Sequence, residues 1–171
     1  MKRSFLVVSL FSFFFISNNA LTAQEIGIKK TISYVKGMRD NDTRILSLMA
    51  NNTIYWTDGE KNWEKVPLKS LPKEEILDLE VFLKASLMSM DTRLLVLLGD
   101  NSIWWYTDGK DWEKISTEGI PKIKIKDISV YTKAGGSLVQ STRIIATLED
   151  NSIYWFANSK WNKFTVKGLG K

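Results

Sequence analysis

The sequence predicts an all-β protein made of three tandem repeats of about 49 residues, with four strands in each repeat. Three observations lead to this prediction. Segment 103–112 has an isoleucine and aromatic residues before a polar turn and a tryptophan after it, and it recurs in altered form at 54–63 and 153–161. A Thr-Arg pair precedes each copy, at spacings of 49 and then 50 residues. Short apolar and aromatic runs separated by turn residues are typical of antiparallel strands.

The three repeats span residues 25–72, 73–121 and 122–171, and a proline closes each of the first two. We predict a single domain over 24–171. A chain of this length buries enough surface to fold as one unit without a metal ion or a disulfide.

Each repeat is predicted to hold its four strands in the same order. The first strand begins at an isoleucine, the second follows the Thr-Arg pair, the third carries the aromatic residues, and the fourth starts at a late tryptophan. The isoleucines are Ile28, Ile76 and Ile125, and the late tryptophans are Trp63, Trp112 and Trp161. Two turns flank the third strand of each repeat, and both contain residues that tolerate the backbone conformation of a tight turn. They are Asn52, Asn101 and Asn151 before the third strand, then Asp58-Gly59, Asp108-Gly109 and the shorter Asn158-Ser159 after it.

The second strand of each repeat distinguishes between two folds. Runs 45–49, 94–98 and 144–148 do not alternate apolar and polar residues, which predicts that both faces of the strand are buried. In a β-propeller each four-stranded blade lies between two neighbours, and this arrangement covers both faces. We therefore predict propeller-like blades, with a β-trefoil of three four-stranded repeats as the alternative.

Residues 100–115 read Asp-Asn-Ser-Ile, two tryptophans, Tyr-Thr, Asp-Gly-Lys-Asp and Trp-Glu-Lys-Ile. This pattern resembles the blades of sialidase-type or Asp-box propellers, and those of short-repeat propeller lectins that assemble rings from several chains. An Asp box has one residue between its aspartate and glycine, which is missing between Asp108 and Gly109. The resemblance implies propeller blades over nearly all of the chain after its N-terminal segment. Three blades are fewer than the usual four to eight, so we expect a homodimer that completes a six-bladed ring.

The N-terminal segment is typical of a secretory signal peptide. Lys2 and Arg3 precede an apolar run at 5–16, and small and polar residues lead to Ala23. The run is too short to span a membrane, which takes about 20 residues. We predict a signal peptide over 1–23 with cleavage near Ala23, and a secreted or periplasmic protein with no membrane span after cleavage. The chain has no cysteine to carry a lipid or a disulfide. Its net charge of +5 falls to +3 without Lys2 and Arg3, which is too weak to indicate a nucleic-acid partner.

Aromatic residues of the third strand are candidate ligand-binding residues, because an indole ring stacks on a sugar ring and donates from its N–H. Strand alternation puts Trp56, Trp105 and Trp155 on one face. The opposite face carries Tyr55, Trp104 and Tyr154. We expect one face to lie in the core and the other to be accessible at its edge. The late tryptophans are interpreted mainly as packing residues.

Arg44, Arg93 and Arg143 are basic residues that recur at the same place in all three repeats. One interpretation is that they bind a carboxylate, as three arginines do in the sialidases that the blades resemble. The other, which we favour, is that each arginine opens a strand and pairs with a nearby acid such as Asp42 or Asp91.

The composition argues against catalysis. Histidine and cysteine are both absent, which removes the usual general base and the commonest metal ligand and excludes thiolate sites and the catalytic triads built on those residues. We expect no metal, no cofactor and no enzymatic activity. The sequence instead predicts a binding module of lectin type with a glycan as partner. The alternative is a structural scaffold that binds another protein of the cell envelope.

Overall fold

The computed structural model of the protein describes residues 27–35, 43–60, 62–85, 90–133, 141–157 and 159–165. These residues form strands and turns, without a helix that could cross a membrane. The strands are β1 Ile28–Val35, β2 Thr43–Met49, β3 Ile54–Thr57, β4 Glu64–Lys65, β5 Ile76–Ala85, β6 Met90–Leu98, β7 Ile103–Thr107, β8 Glu113–Ile115, β9 Ile125–Lys133, β10 Ser141–Leu148, β11 Ile153–Ala157 and β12 Lys160–Lys163. The prediction of an all-β chain with three four-stranded repeats is confirmed. The predicted signal peptide at 1–23 lies outside the described residues.

Each repeat folds into its own antiparallel sheet, with the strands side by side in chain order. The first sheet holds β1 to β4, the second β5 to β8 and the third β9 to β12, and the described strands pair only within their own sheet. The register repeats as well. The first strand starts opposite the last residue of the second strand, in the pairs Ile28 with Met49, Ile76 with Leu98 and Ile125 with Leu148. Positions in the three sheets are therefore equivalent one by one.

The turns before β3, β7 and β11 adopt the left-handed backbone that the asparagines predicted. Their φ angles are 62° at Asn52, 70° at Asn101 and 62° at Asn151. The asparagine side chains also join neighbouring sheets. Oδ1 of Asn52 accepts from the N–H of Ile76 at 3.2 Å, and Oδ1 of Asn101 accepts from the N–H of Ile125 at 2.6 Å. The turns at Asn52 and Asn101 thus fix the start of the next sheet.

Two hydrophobic cores lie between the sheets, one on each side of the second sheet. Strand β6 supplies both, because alternate side chains point to opposite faces. Leu94, Val96 and Leu98 enter the core shared with the first sheet, whereas Leu95 and Leu97 enter the core shared with the third. Burial of both faces is thus confirmed for β6.

Strand β10 differs from β6 in its burial. Ile144, Ala146 and Leu148 are buried, and the residues between them are only partly buried. The third sheet has a neighbouring sheet on one face only within the described part of the chain. For β10 the prediction from the apolar run therefore holds on one face.

Two late tryptophans dock one sheet onto the preceding one. Trp112 is buried against Tyr106 and donates from Nε1 to the carbonyl oxygen of Pro67 at 2.8 Å. Trp161 is buried against Phe156 and donates to the carbonyl oxygen of Ser116 at 2.7 Å. These two side chains are packing residues, in agreement with the interpretation of the sequence.

Candidate functional site

An arginine stacks on a tryptophan at the same position in every sheet. The second and third strands pair in the same register in all three sheets. The arginine of the second strand and the tryptophan of the third therefore lie on the same face of each sheet. The Cζ atom of Arg44 is 5.2 Å from the ring centroid of Trp56. The distance from Arg93 to Trp105 is 4.2 Å, and from Arg143 to Trp155 it is 4.1 Å. The structure thus brings together two of the residue sets that the sequence singled out, in a cation–π arrangement.

The first of these pairs lines a cleft of about 550 Å³ between the first and second sheets. Arg44 and Trp56 form part of the wall from the first sheet, and Tyr106 and Asp108 form part of the wall from the second. The remaining lining residues are Tyr34, Leu46, Glu64, Lys65, Val66, Pro67, Thr92, Leu94, Thr107 and Gly109. The cleft therefore combines an aromatic and aliphatic surface with a guanidinium and the carboxylates of Glu64 and Asp108, and small-molecule sites commonly have such a mixture.

A carboxylate holds the guanidinium in the cleft. Nη1 of Arg44 lies 4.0 Å from Oδ2 of Asp58, and both side chains are mostly buried. Arg44 also donates from Nη1 to the carbonyl oxygen of Thr43 at 3.2 Å. Of the acids expected to pair with the arginines, Asp42 lies outside the described residues, and the side chain of Asp91 is not described. The acid that contacts Arg44 comes from the turn after β3.

Two hydroxyl groups face the same cleft. Burial raises the pKa of the Tyr34 phenol above its usual range, the Arg44 charge lowers it, and Asp108 raises it further. Tyr34 therefore keeps its proton at neutral pH. Oγ1 of Thr92 is buried and has no hydrogen-bond partner among the residues that the structure describes. A buried polar group of this kind costs free energy that a bound hydroxyl group would recover.

The second Arg–Trp pair faces the third sheet. Arg93 lies over Trp105 and also 5.7 Å from the ring centroid of Phe82. Nε1 of Trp105 donates to Oε2 of Glu113 at 2.8 Å, which fixes the indole ring at the exposed edge of the sheet. An aromatic surface, a guanidinium and a carboxylate thus come together here as they do in the cleft.

The third Arg–Trp pair lies on the face of the third sheet that points away from the second. Trp155 is paired in register with Ile145, whereas Ile144 and Ala146, on the opposite face, are buried in the core. Within the described residues no following sheet covers Arg143 and Trp155.

The opposite face of the third strands carries the other candidate set. Trp104 packs against the first core and donates from Nε1 to Oγ of Ser102 at 2.9 Å. Tyr154 is buried in the second core, and Tyr55 is half-buried opposite Ser47. The expected division into one core face and one accessible face holds in the first and third sheets and fails in the second, where Trp104 and Trp105 pack against opposite cores. The second sheet is packed on both sides, so its Trp104 and Trp105 rings are both only partly buried at the margins of the two cores.

The sequence did not indicate that several other residues belong to the same cleft. They are Tyr34, Glu64, Thr92, Tyr106 and Asp108. They occupy non-equivalent positions in two different repeats, so no repeat pattern connects them. The signal that was available is the Asp-Gly turn, because it brings Asp108 to the edge of the second sheet that faces Arg44.

No protein-family model matches the chain, and no curated protein sequence matches it. Among solved structures, the chain is similar to a fucose lectin from Kordia zhangzhouensis, determined in complex with methyl-fucoside. The sequence identity is 16% and the TM-score is 0.53. The similarity covers 80% of this chain and 99% of that chain. At this identity the likeness describes the fold, a repeat-built all-β architecture.

Proposed function

We propose that the protein is a non-catalytic, lectin-like module that binds carbohydrate in the clefts beside its Arg–Trp pairs. The observation that carries this proposal is the recurrence of an arginine stacked on a tryptophan at distances of 4.1 to 5.2 Å in all three sheets. A sugar ring has an apolar face that stacks on indole and hydroxyl groups that bond to guanidinium and carboxylate groups.

The cleft beside Arg44 suits a sugar that carries an apolar substituent. Trp56 would stack on the ring, and Arg44, Asp108 and the unpartnered Thr92 hydroxyl would bond to its hydroxyl groups. The aliphatic part of the wall is made by Leu46, Val66, Pro67 and Leu94. A methyl group of a 6-deoxyhexose fits such a wall, and the similar structure with bound methyl-fucoside supports a fucoside as the first ligand to test.

We also propose that the sheets are propeller blades, as the sequence predicts, and not repeats of a trefoil. Three features support blades: each described sheet is a separate meander, the second sheet packs on both faces, and the same inter-sheet contacts recur. A closed barrel requires strand pairing between neighbouring repeats. A low-resolution scattering envelope with a central opening would support blades, and a compact solid envelope would contradict them.

Secretion is the third part of the proposal and rests on the N-terminal pattern alone. The expected outcome is a purified protein that begins near Gln24 when it is expressed in its native export pathway. Intact-mass measurement checks this, and a protein that retains residues 1–23 would contradict it.

Isothermal titration with methyl-fucoside tests carbohydrate binding. Replacing Trp56→Ala should raise the Kd of the site beside Arg44 about tenfold, since tenfold corresponds to about 1.4 kcal/mol and an aromatic stacking contact contributes roughly this much. Tyr55→Phe, on the other face of the same strand, is the matched control and should leave Kd unchanged. Absence of binding to fucosides and to a broad panel of other glycans would overturn the proposal.

A scaffold that binds another envelope protein is the second candidate function. It is favoured by three large apolar side chains that are exposed at the two ends of the row of sheets, Ile28, Trp63 and Phe164. Pull-down from an envelope extract with and without competing fucoside separates the two functions.

A further inference from the structure

Two outer faces remain at the ends of the row of sheets. The leading face belongs to the first sheet and carries Ile28 and Trp63. The equivalent residues of the other sheets lie in the cores, against the preceding sheet. Ile28 is 63% exposed, whereas Ile76 and Ile125 are each 1% exposed. Trp63 is 49% exposed, whereas Trp112 is 4% and Trp161 is 5% exposed. The first sheet therefore presents docking residues that the other two sheets have buried.

The trailing face belongs to the third sheet and carries Phe164, Thr165 and the Asn151 turn. The N–H of Phe164 donates to the carbonyl oxygen of Ile153, as the N–H of Val66 does to that of Ile54. Phe164 is therefore equivalent to Val66. It is also equivalent to Ile115, which pairs with Ile103 in the second sheet. Those two residues are each 3% exposed, under the sheet that follows them, whereas Phe164 is 46% exposed.

The hydrogen-bonding groups of the two faces are also complementary. Trp112 and Trp161 donate to the carbonyl oxygens of Pro67 and Ser116, each one residue after the buried apolar position. The equivalent acceptor on the trailing face is the carbonyl oxygen of Thr165, and the equivalent donor on the leading face is Nε1 of Trp63. Asn52 and Asn101 accept from the first strand of the next sheet. The equivalent bond between the two outer faces would run from the N–H of Ile28 on the leading face to Oδ1 of Asn151 on the trailing face.

We propose that a second copy of this chain occupies these faces, with the leading face of each copy packed on the trailing face of the other. Such a head-to-tail contact closes only if the number of sheets suits a ring. The described part of one copy has three sheets, too few for the usual four to eight, and three copies would have nine. Two copies give a closed ring of six, with both seams equivalent by two-fold symmetry. The pairing buries Ile28, Trp63 and Phe164 together.

Light scattering of the purified protein over a range of concentrations tests the pairing, and it is independent of sugar binding. The expected mass is twice that of the chain found by mass spectrometry. Ile28→Asp and Trp63→Asp should each raise the dissociation constant of the dimer at least ~30-fold, since buried anchors dominate such contacts. Leu77→Asp is the matched control, because Leu77 is an exposed leucine of the second sheet on neither outer face. It should leave the dimer intact.

Cross-linking identifies which surfaces meet. The chain has no cysteine, so single cysteines are specific reporters. A mixture of Asn62→Cys chains, which keep the Trp63 anchor, and Thr165→Cys chains, treated with a short bismaleimide, should give a cross-linked pair, and each variant alone should not. A monomeric wild type, an assembly of any other size, an intact Trp63→Asp dimer, or equal cross-linking within single variants would overturn the proposal.

Discussion

At the scale of single residues, partial burial determines how strongly the guanidinium and the indole of each Arg–Trp pair interact. A guanidinium over an indole in water contributes little, and the interaction strengthens as water is excluded. Arg44 is held this way by Trp56 and by Asp58 at the wall of the cleft. Its donors are therefore oriented before a ligand arrives, which lowers the entropic cost of binding.

The unpartnered hydroxyl of Thr92 gives a test in which stability and binding change in opposite directions. Thr92→Val removes the buried Oγ1 at nearly constant shape, so we expect the free energy of unfolding to rise by about 1 kcal/mol. The Kd for a fucoside should rise about fivefold, because the ligand loses a hydrogen-bond partner. Urea unfolding and isothermal titration measure the two effects.

Thr31→Val is the control for that variant. Oγ1 of Thr31 lies 3.2 Å from Oγ of Ser47 in a hydrogen bond. Its replacement should lower stability and leave sugar binding unchanged. A Thr92→Val protein that is less stable than the wild type would contradict our description of the cleft.

The asparagine turns give a second residue-scale prediction. Asn101 combines a φ of 70° with a side-chain bond to the N–H of Ile125. Asn101→Gly loses this bond and the longer one from Nδ2 to the carbonyl oxygen of Ile123 at 3.3 Å, and should cost about 1 kcal/mol. Asn101→Ala loses both bonds and adds the strain of a left-handed alanine, for a total of about 2 to 3 kcal/mol. Urea unfolding of both variants checks this, and equal costs would show that the backbone is not strained.

At the scale of elements, the hairpins between second and third strands are also stabilised by charge. Hydrogen bonds from the Ser152 hydroxyl and N–H hold the pKa of Asp150 below its usual range. At Asp100, burial works to raise the pKa, but equivalent bonds from Ser102 outweigh it, so the pKa is again lowered. A carboxyl group with a lowered pKa stabilises the fold above its unfolded pKa and loses this contribution as pH falls through the folded pKa.

The double variant Asp100→Asn and Asp150→Asn should therefore be less stable than the wild type at pH 7. The difference should close as pH falls from about 4 toward 2, where the wild-type carboxylates become protonated. Urea unfolding at a series of pH values measures it. The double variant Asp111→Asn and Glu118→Gln, at exposed positions, removes the same number of charges and is the control, which should be as stable as the wild type at pH 7.

The elements were predictable from the sequence because their signals are local. The asparagines and the Asp-Gly pairs mark turns, and the apolar run at 94–98 reports burial of β6 on both faces. The cleft was not predictable in the same way. Arg44 and Trp56 were found through their recurrence, whereas Thr92 and Asp108 reach the cleft only through the packing of one sheet on another. That packing is a property of the tertiary structure and leaves no repeat in the sequence.

At the scale of the whole molecule, the two proposals are connected by the third Arg–Trp pair. Arg44 and Trp56 face the second sheet across the cleft, and Arg93 and Trp105 face the third. Arg143 and Trp155 would face the first sheet of a second copy. If sugar binds beside each pair and the ring closes, a chain in the dimer has three sites, one of them shared with its partner.

The number of sugar sites should therefore depend on assembly. The wild-type dimer is expected to bind three fucosides per chain, and monomeric Trp63→Asp only two. Trp155→Ala should reduce the stoichiometry in the dimer from three fucosides per chain to two. In the monomeric Trp63→Asp background it should leave the stoichiometry at two, because no sheet faces Arg143 and Trp155 there. Trp56→Ala is the control and should weaken one site in both backgrounds. Isothermal titration measures the stoichiometry, and three sites in the monomeric variant would contradict a site completed by the partner.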